Sequence, residues 1–231
     1  MGDYGQSIAH AGLEIGGIKL RTQDPFLWAS GFRMPIYNDN RMFLERPGHR
    51  HLIKFGFGDI IEREKIPYDI IAGTSTAGIP HGVTLANWLG EDGVPFIYIR
   101  DKPKDHGLRN QIEGIDAEKD LGGRRVIVIE DLISTGGSSA RAVQAVRDAN
   151  GECNYCLSIF NYGLDKAVEA FSSLDPKCNV RSILTYDTLL KVAKEMGYLT
   201  EDQVRLLEEW RADPFGWGEK HGFPKVERGG N

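Results

Sequence analysis

RRVIVIEDLISTGGSSARAVQAVRDAN, residues 124–150, decides how this chain folds. Its first half is a run of Val and Ile without polar alternation, which describes a strand covered on both faces. Its second half carries Ala142, Val143, Ala145, Val146 and Ala149 at helical spacing, and Gly151 follows as a stop. Between the two lies a short loop of hydroxyls and glycines. Strand, tight turn and helix make one βα unit, and the same alternation extends in both directions. Upstream, YDIIAG (68–73) reads as a strand, residues 79–89 as an amphipathic helix and VPFIYIR (94–100) as a second strand. Downstream come a strand over 154–160, a helix over 164–171 and a strand over 180–185. Buried strands alternating with helices predict an α/β fold, a parallel sheet flanked by helices. In such sheets ligands bind beyond the carboxyl ends of the strands, here 73–78, 100–114 and 130–138.

The ends read differently. GIKL, PFLWAS and RMPIYND, within residues 17–39, are short β-like pieces that suggest a small flap, and 47–65 reads as a connecting helix. Thr200 and Gln203 match a capping box that opens a helix to about residue 210. The tail from 213 is rich in Gly, Pro and aromatics, and is expected to pack on the body or on a second subunit. The expected organisation is therefore an N-terminal helix and flap (1–65), an α/β core (66–196) and a C-terminal helix and tail (197–231).

Of 231 residues, 41% are hydrophobic and 26% charged, and the net charge is −5. That acidic balance argues against a nucleic-acid partner, which usually meets a basic surface. The start lacks the basic and apolar blocks of a signal peptide, and no run approaches the ~18 apolar residues of a membrane span. A cytoplasmic protein with no membrane partner is expected. Cys153, Cys156 and Cys178 are too few for a disulfide framework; Cys153 and Cys156 form a CxxC in a strand, and all three read as buried and reduced.

The turn carries the chemistry. Gly136 and Gly137 let the backbone approach a ligand, and the N–H groups of 134–137 at a helix start suit a phosphate monoester. Ser134, Thr135 and Ser138 add hydroxyls. Upstream, the carboxylates of Glu130 and Asp131 suit a vicinal diol. A phosphate at one end and a diol at the other describe a ribose 5-phosphate. No Gly-x4-Gly-Lys-Ser/Thr and no Gly-x-Gly-x-x-Gly after a strand competes with that reading.

The run 126–140 resembles the phosphoribosyl pyrophosphate (PRPP) signature of the type I phosphoribosyltransferases. FLWASGFRMPIYNDNR (26–41), GTSTAGIPHG (73–82) and IYIRDKPKDHGLRNQIEG (97–114) are similar to the branch of that family that uses orotate. The resemblance implies a type I phosphoribosyltransferase-like fold with an N-terminal hood. It implies PRPP binding by Glu130, Asp131, Leu132, Ile133, Ser134, Thr135, Gly136, Gly137 and Ser138, and a pyrophosphate turn at Thr74, Ser75, Thr76, Ala77 and Gly78. Arg100, Lys104 and His106 would meet the pyrophosphate from a mobile lid, and together with Asp131 they form the catalytic set. Orotate would be held by Ser134, with Arg33 and Tyr37 as further contacts. No protein metal cage is implied; Mg²⁺ would arrive with PRPP. A homodimer sharing its lids is implied too. The chain departs from some relatives at Ala29, Ala77, Asp101 and 161–163, where they carry lysine or arginine; Lys102 stands one position beyond the expected second lid lysine. Two rival readings remain: a phosphoribosyltransferase for another base, and a PRPP-sensing regulator without catalysis.

Overall fold

A computed structural model describes residues 3–102, 111–116 and 119–227. Helix α1 (Tyr4–Glu14) is capped by Asp3, whose Oδ1 accepts from Gln6 N at 3.0 Å. Four short strands follow, β1 (Ile18–Leu20), β2 (Phe26–Leu27), β3 (Arg33–Met34) and β4 (Ile36–Asn38). β1 pairs with β4 and β2 with β3, both antiparallel, so the flap is a pair of two-stranded ribbons. A 3-10 turn (Asn40–Leu44) leads to α2 (Pro47–Arg63), where Pro47 takes the first helical position, at which a missing N–H costs nothing.

The main sheet then assembles from β5 (Ile70–Thr74), α3 (Gly78–Ala86), β6 (Phe96–Ile99), β7 (Ile112–Glu113), β8 (Arg125–Ile133), α4 (Gly137–Asp148), β9 (Glu152–Asn161), α5 (Asp165–Ser172) and β10 (Asn179–Thr185). Strand order is β10-β9-β8-β5-β6-β7. Every pair is parallel except β6 with β7. The unbroken apolar runs have a direct cause. Ile70, Ala72, Val126 and Val128 pack into one buried cluster, whereas Ile71, Ile127 and Ile129 pack into another on the opposite face. With both faces covered, neither side of the strand tolerates polar residues.

The structure adds three features to the sequence reading. The strand read as 124–130 continues through the two carboxylates to Ile133, because Leu132 pairs with Phe160 and Ile133 with Asn161. The sheet ends on an antiparallel strand, β7. After β10 comes α6 (Tyr186–Glu195), which buries Tyr186, Leu189, Leu190, Val192 and Ala193. The expected capping box is present: α7 (Glu201–Ala212) starts with Thr200 Oγ1 accepting from Gln203 N and Gln203 Oε1 accepting from Thr200 N. α8 (Trp217–Lys220) and the tail settle on the flap. Val226 N donates to Gly31 O at 2.9 Å, and Phe215 meets Phe32 edge-on at 5.2 Å. Among the described residues no helix is long and apolar enough to cross a membrane.

Candidate functional site

The carboxyl ends of β5, β6 and β8 open onto a polar crevice of about 290 Å³. Thr74, Ser75, Arg100, Glu130, Asp131 and Ser138 line it, so three separate stretches of the expected site converge. Gln111 and Arg141 also line it. Arg141 is a cation at the start of the second turn of α4 that the turn motif alone did not single out.

The turn after β8 is shaped by glycine. Gly136 precedes α4 with φ +76°, and a Cβ there would come within 3.0 Å of Ala167 Cα on α5. Only glycine satisfies both constraints at once. The N–H groups of Ser134, Thr135, Gly136 and Gly137 donate to no other group among the described residues. They stand at the N-terminus of a twelve-residue helix, whose dipole adds to their attraction for an anion. Ile133, expected within this loop, instead ends β8 with no exposed side-chain surface; its side chain belongs to the core and can offer a ligand only its backbone.

The two carboxylates have different environments. Glu130 is 7% exposed, and its side chain accepts three hydrogen bonds: from Thr74 Oγ1 at 2.8 Å, from Asp131 N at 3.0 Å and from Ser139 Oγ at 2.9 Å. Burial, with the neighbouring Asp131 carboxyl adding to it, pushes the Glu130 pKa up to about 7. Glu130 therefore ties β5 to the start of α4 and sets the shape of the crevice. Asp131 is only half-buried and sits on the crevice wall; its carbonyl accepts from Asn40 Nδ2 at 2.7 Å. Asn40 is 1% exposed, and its Oδ1 has no partner among the described residues. This anchor from the flap to the acidic end of β8 was not singled out from sequence. Next to it Arg41 is held by Asp39 at 2.7 Å and lies within electrostatic reach of Asp131.

The turn between β5 and α3 is equally constrained. A Cβ on Gly78 would collide with Ile129 O and Thr74 Oγ1, and one on Gly73 would come 2.8 Å from Ile79 Cα. These glycines let the helix start press onto the strand ends. Ser75 Oγ accepts from Asp101 N at 3.1 Å, which fastens the root of the following loop to this turn. Thr76 is exposed and Ala77 half-buried. Arg100 leaves β6 towards the crevice, but its Nη1 rests on Glu113 Oε1 at 3.3 Å. Lys104 and His106 lie outside the described residues. Arg33 and Tyr37 do not line the crevice: Arg33 Nη1 approaches Pro25 O at 3.5 Å, and the exposed Tyr37 packs against Phe26 with ring centres 5.7 Å apart. No group of three or more His, Cys, Asp and Glu side chains converges to hold a metal among the described residues.

Comparison with known proteins places this arrangement. The family model described as phosphoribosyl transferase domain matches residues 48–171, over half of the chain. An orotate phosphoribosyltransferase of Streptococcus agalactiae serotype III (strain NEM316) is 45% identical over 215 residues, covering 93% of this chain and 99% of that protein. The crystal structure of orotate phosphoribosyltransferase from Aeropyrum pernix matches with a TM-score of 0.67 at 24% identity, over 84% of this chain and 99% of that one. The Mycobacterium tuberculosis H37Rv orotate phosphoribosyltransferase in complex with PRPP matches with a TM-score of 0.61 at 22% identity, over 81% and 99%. These two structural likenesses are likenesses of fold.

Proposed function

Because this chain belongs to the orotate phosphoribosyltransferases, of the phosphoribosyl transferase family, we propose that the crevice above β5, β6 and β8 is where its reaction takes place. The chain transfers the 5-phosphoribosyl group of PRPP to orotate, giving orotidine 5′-monophosphate and pyrophosphate in pyrimidine biosynthesis. One observation carries the assignment of the site: four neighbouring N–H groups without another partner among the described residues, at the start of α4, beside the half-buried Asp131.

In this reading the 5-phosphate sits on the amides of Ser134, Thr135, Gly136 and Gly137, with the Thr135 and Ser138 hydroxyls as added donors. Asp131 accepts from the ribose hydroxyls. Glu130, engaged by Thr74 and Ser139, holds Asp131 and the phosphate turn in register. The pyrophosphate lies towards the turn of Thr74, Ser75, Thr76, Ala77 and Gly78. As the bond from C1′ to pyrophosphate loosens, positive charge grows on the ribose near Asp131. Negative charge grows on the leaving group, where Arg100, Lys104 and His106 stabilise it. Loss of one such donor typically costs roughly a hundredfold or more in rate. Arg100 must first leave Glu113, with which it forms a half-buried ion pair at 3.3 Å. That pairing is a resting contact that the pyrophosphate has to displace. Ser134 is assigned to the base, whereas Arg33 and Tyr37, which lie away from the crevice, are not.

Glu130 has its hydrogen bonds filled from within, which leaves Asp131 as the carboxylate suited to meet a PRPP-bound cation. Mg²⁺ carried on PRPP would neutralise the pyrophosphate, a role that suits a hard cation kept on phosphate oxygens and water. A cytoplasmic homodimer whose lids cross between subunits completes the reading. The exposed Phe55 and Trp88, packed edge-on at 5.5 Å between α2 and the end of α3, offer an apolar face for such a partner.

The test is orotate depletion followed by absorbance with PRPP and Mg²⁺, beside a Lys104→Ala control. Orotate consumption that the variant loses is the expected result. Turnover of a purine base but not of orotate, or tight PRPP binding with no turnover in either protein, would overturn the assignment.

A further inference from the structure

In the flap, β2 and β3 pair over only two residues each, Phe26 with Met34 and Leu27 with Arg33. A two-stranded ribbon so short is marginal on its own in water. Its turn is closed by Trp28 N donating to Phe32 O and Gly31 N donating to Trp28 O, both at 2.9 Å. From outside, the turn is held by the tail that follows α7. Val226 N donates to Gly31 O at 2.9 Å. Gly31, with φ +84°, lies so close to the tail that a Cβ there would stand 2.3 Å from Val226 O. Phe32 has two tail partners: Phe215 meets it edge-on at 5.2 Å, and Lys225 Nζ lies 4.8 Å from its ring centre. Gly218 of α8 runs so close to β3 that a Cβ there would come 3.3 Å from Arg33 O.

The tail is itself anchored. Trp217 is 1% exposed, Phe223 stacks on it with ring centres 6.1 Å apart, and Phe223 N donates to Gly218 O at 2.7 Å. Phe215 also carries Lys166 Nζ, on α5, at 4.2 Å from its ring centre. The next residue of α5, Ala167, is the one that faces Gly136 of the phosphate turn. On its inner side the flap turn reaches the crevice. The Trp28 ring lies 5.8 Å from Tyr162, and Trp28 Nε1 donates to Ile36 O at 3.0 Å. Tyr162 N donates to Ile133 O at 3.1 Å, and Ser134 follows directly. Tyr162 is buried between Phe160 and Trp210, with ring centres 4.9 and 5.5 Å away. Close-packed rings pass a displacement on rather than absorb it. A shift of the flap turn is therefore carried to Ser134 through two contacts, Trp28 on Tyr162 and Tyr162 on Ile133.

We propose that the tail 213–226 is a positioning element of the transfer to orotate. By holding Gly31 and Phe32 it fixes Trp28 against Tyr162, and so the side of Ser134 where the base sits; the inference rests on the assignment of the base to Ser134. No residue of 213–226 lines the crevice among the described residues. The tail acts only through the flap, and the phosphate turn and the pyrophosphate turn keep their shape without it. Loss of its hold weakens binding of the base in ground state and transition state alike, which raises KM for orotate and leaves kcat and KM for PRPP near the wild-type values.

The experiment compares steady-state kinetics of the full chain with two variants at one exposed position. Val226→Pro deletes the N–H that Gly31 O accepts, whereas Val226→Ala keeps it. A backbone hydrogen bond of this kind is worth roughly a two- to tenfold change in affinity. Val226→Pro should raise KM for orotate by about that factor, with KM for PRPP and kcat little changed, and Val226→Ala should match the wild type. A second measurement needs no variant. Coupling between base and tail is reciprocal, so in the wild type orotidine 5′-monophosphate should slow hydrogen exchange at the Val226 N–H more than ribose 5-phosphate does. Equal exchange with the two ligands, an unchanged KM for orotate in Val226→Pro, an equal rise in KM for PRPP, or the same defect in Val226→Ala overturns the proposal. A wild type that consumes no orotate would overturn the assigned function itself, and this inference with it.

Discussion

Replacing Glu130 by Gln tests the buried latch behind the crevice through the pH dependence of stability. Glutamine keeps an oxygen for Thr74 and for the Asp131 amide, and its NH₂ can meet Ser139 once that hydroxyl turns to accept, so the contacts survive while the charge goes. The ordinary glutamate value of 4.5 rises to about 7 in the folded chain, through burial first and Asp131 second. Below 4.5 the group is neutral whether folded or not, and its contribution is fully present. Between 4.5 and about 7 the unfolded chain gives up the proton while the folded chain keeps it, so stability falls as pH rises through that window and then levels off. At about 1.4 kcal/mol per unit, the loss amounts to roughly 3 kcal/mol. Urea unfolding of both proteins, followed near pH 4.5 and again above pH 7, should show Glu130→Gln gaining on the wild type by that order across the window. Groups common to both proteins cancel in the difference. Parallel curves over the whole range would refute the reasoning, because they would mean that the carboxyl is neither buried nor confined against Asp131.

Further predictions concern the elements that hold the turn. Gly136→Ala should cost roughly 2–5 kcal/mol in chemical denaturation, since a left-handed backbone and a new Cβ pressed on Ala167 act together, and KM for PRPP should rise more than kcat falls. Asn40→Leu removes the bond to the Asp131 carbonyl and also the Oδ1 that has no partner among the described residues; a fall in kcat/KM with a stability change within about 1–3 kcal/mol is expected from steady-state kinetics beside thermal melting. Thr200→Ala, remote from the crevice, should destabilise α7 by about 1 kcal/mol in urea titration while leaving turnover unchanged.

The sheet was legible because its signal is local. Val126, Ile127, Val128 and Ile129 are continuous in sequence because two cores claim alternate residues, and a reader needs only that run to place a parallel strand. The turn at Ser134–Gly137 was legible for a similar reason: its glycines and hydroxyls are neighbours. Contacts between distant residues were not. Glu130 is engaged by Thr74, 56 positions earlier, and Asp131 is anchored by Asn40, 91 positions earlier. Nothing near either carboxylate announces that one is a latch and the other faces the crevice. Ile112 and Glu113 are too few to show a period, so the antiparallel edge strand could not be seen. Helix α6 is legible too, in the buried Leu189, Leu190, Val192 and Ala193 at helical spacing. The tail was ambiguous because its partners, Gly31 and Phe32, belong to a flap whose strands are only two or three residues long.

Titration of ribose 5-phosphate into isotope-labelled protein, followed at the backbone amides, tests the phosphate cup most directly. The resonances of Ser134, Thr135, Gly136 and Gly137 should move together and saturate with a single affinity. Shifts confined to other segments, in a protein that still turns over PRPP, would contradict the account.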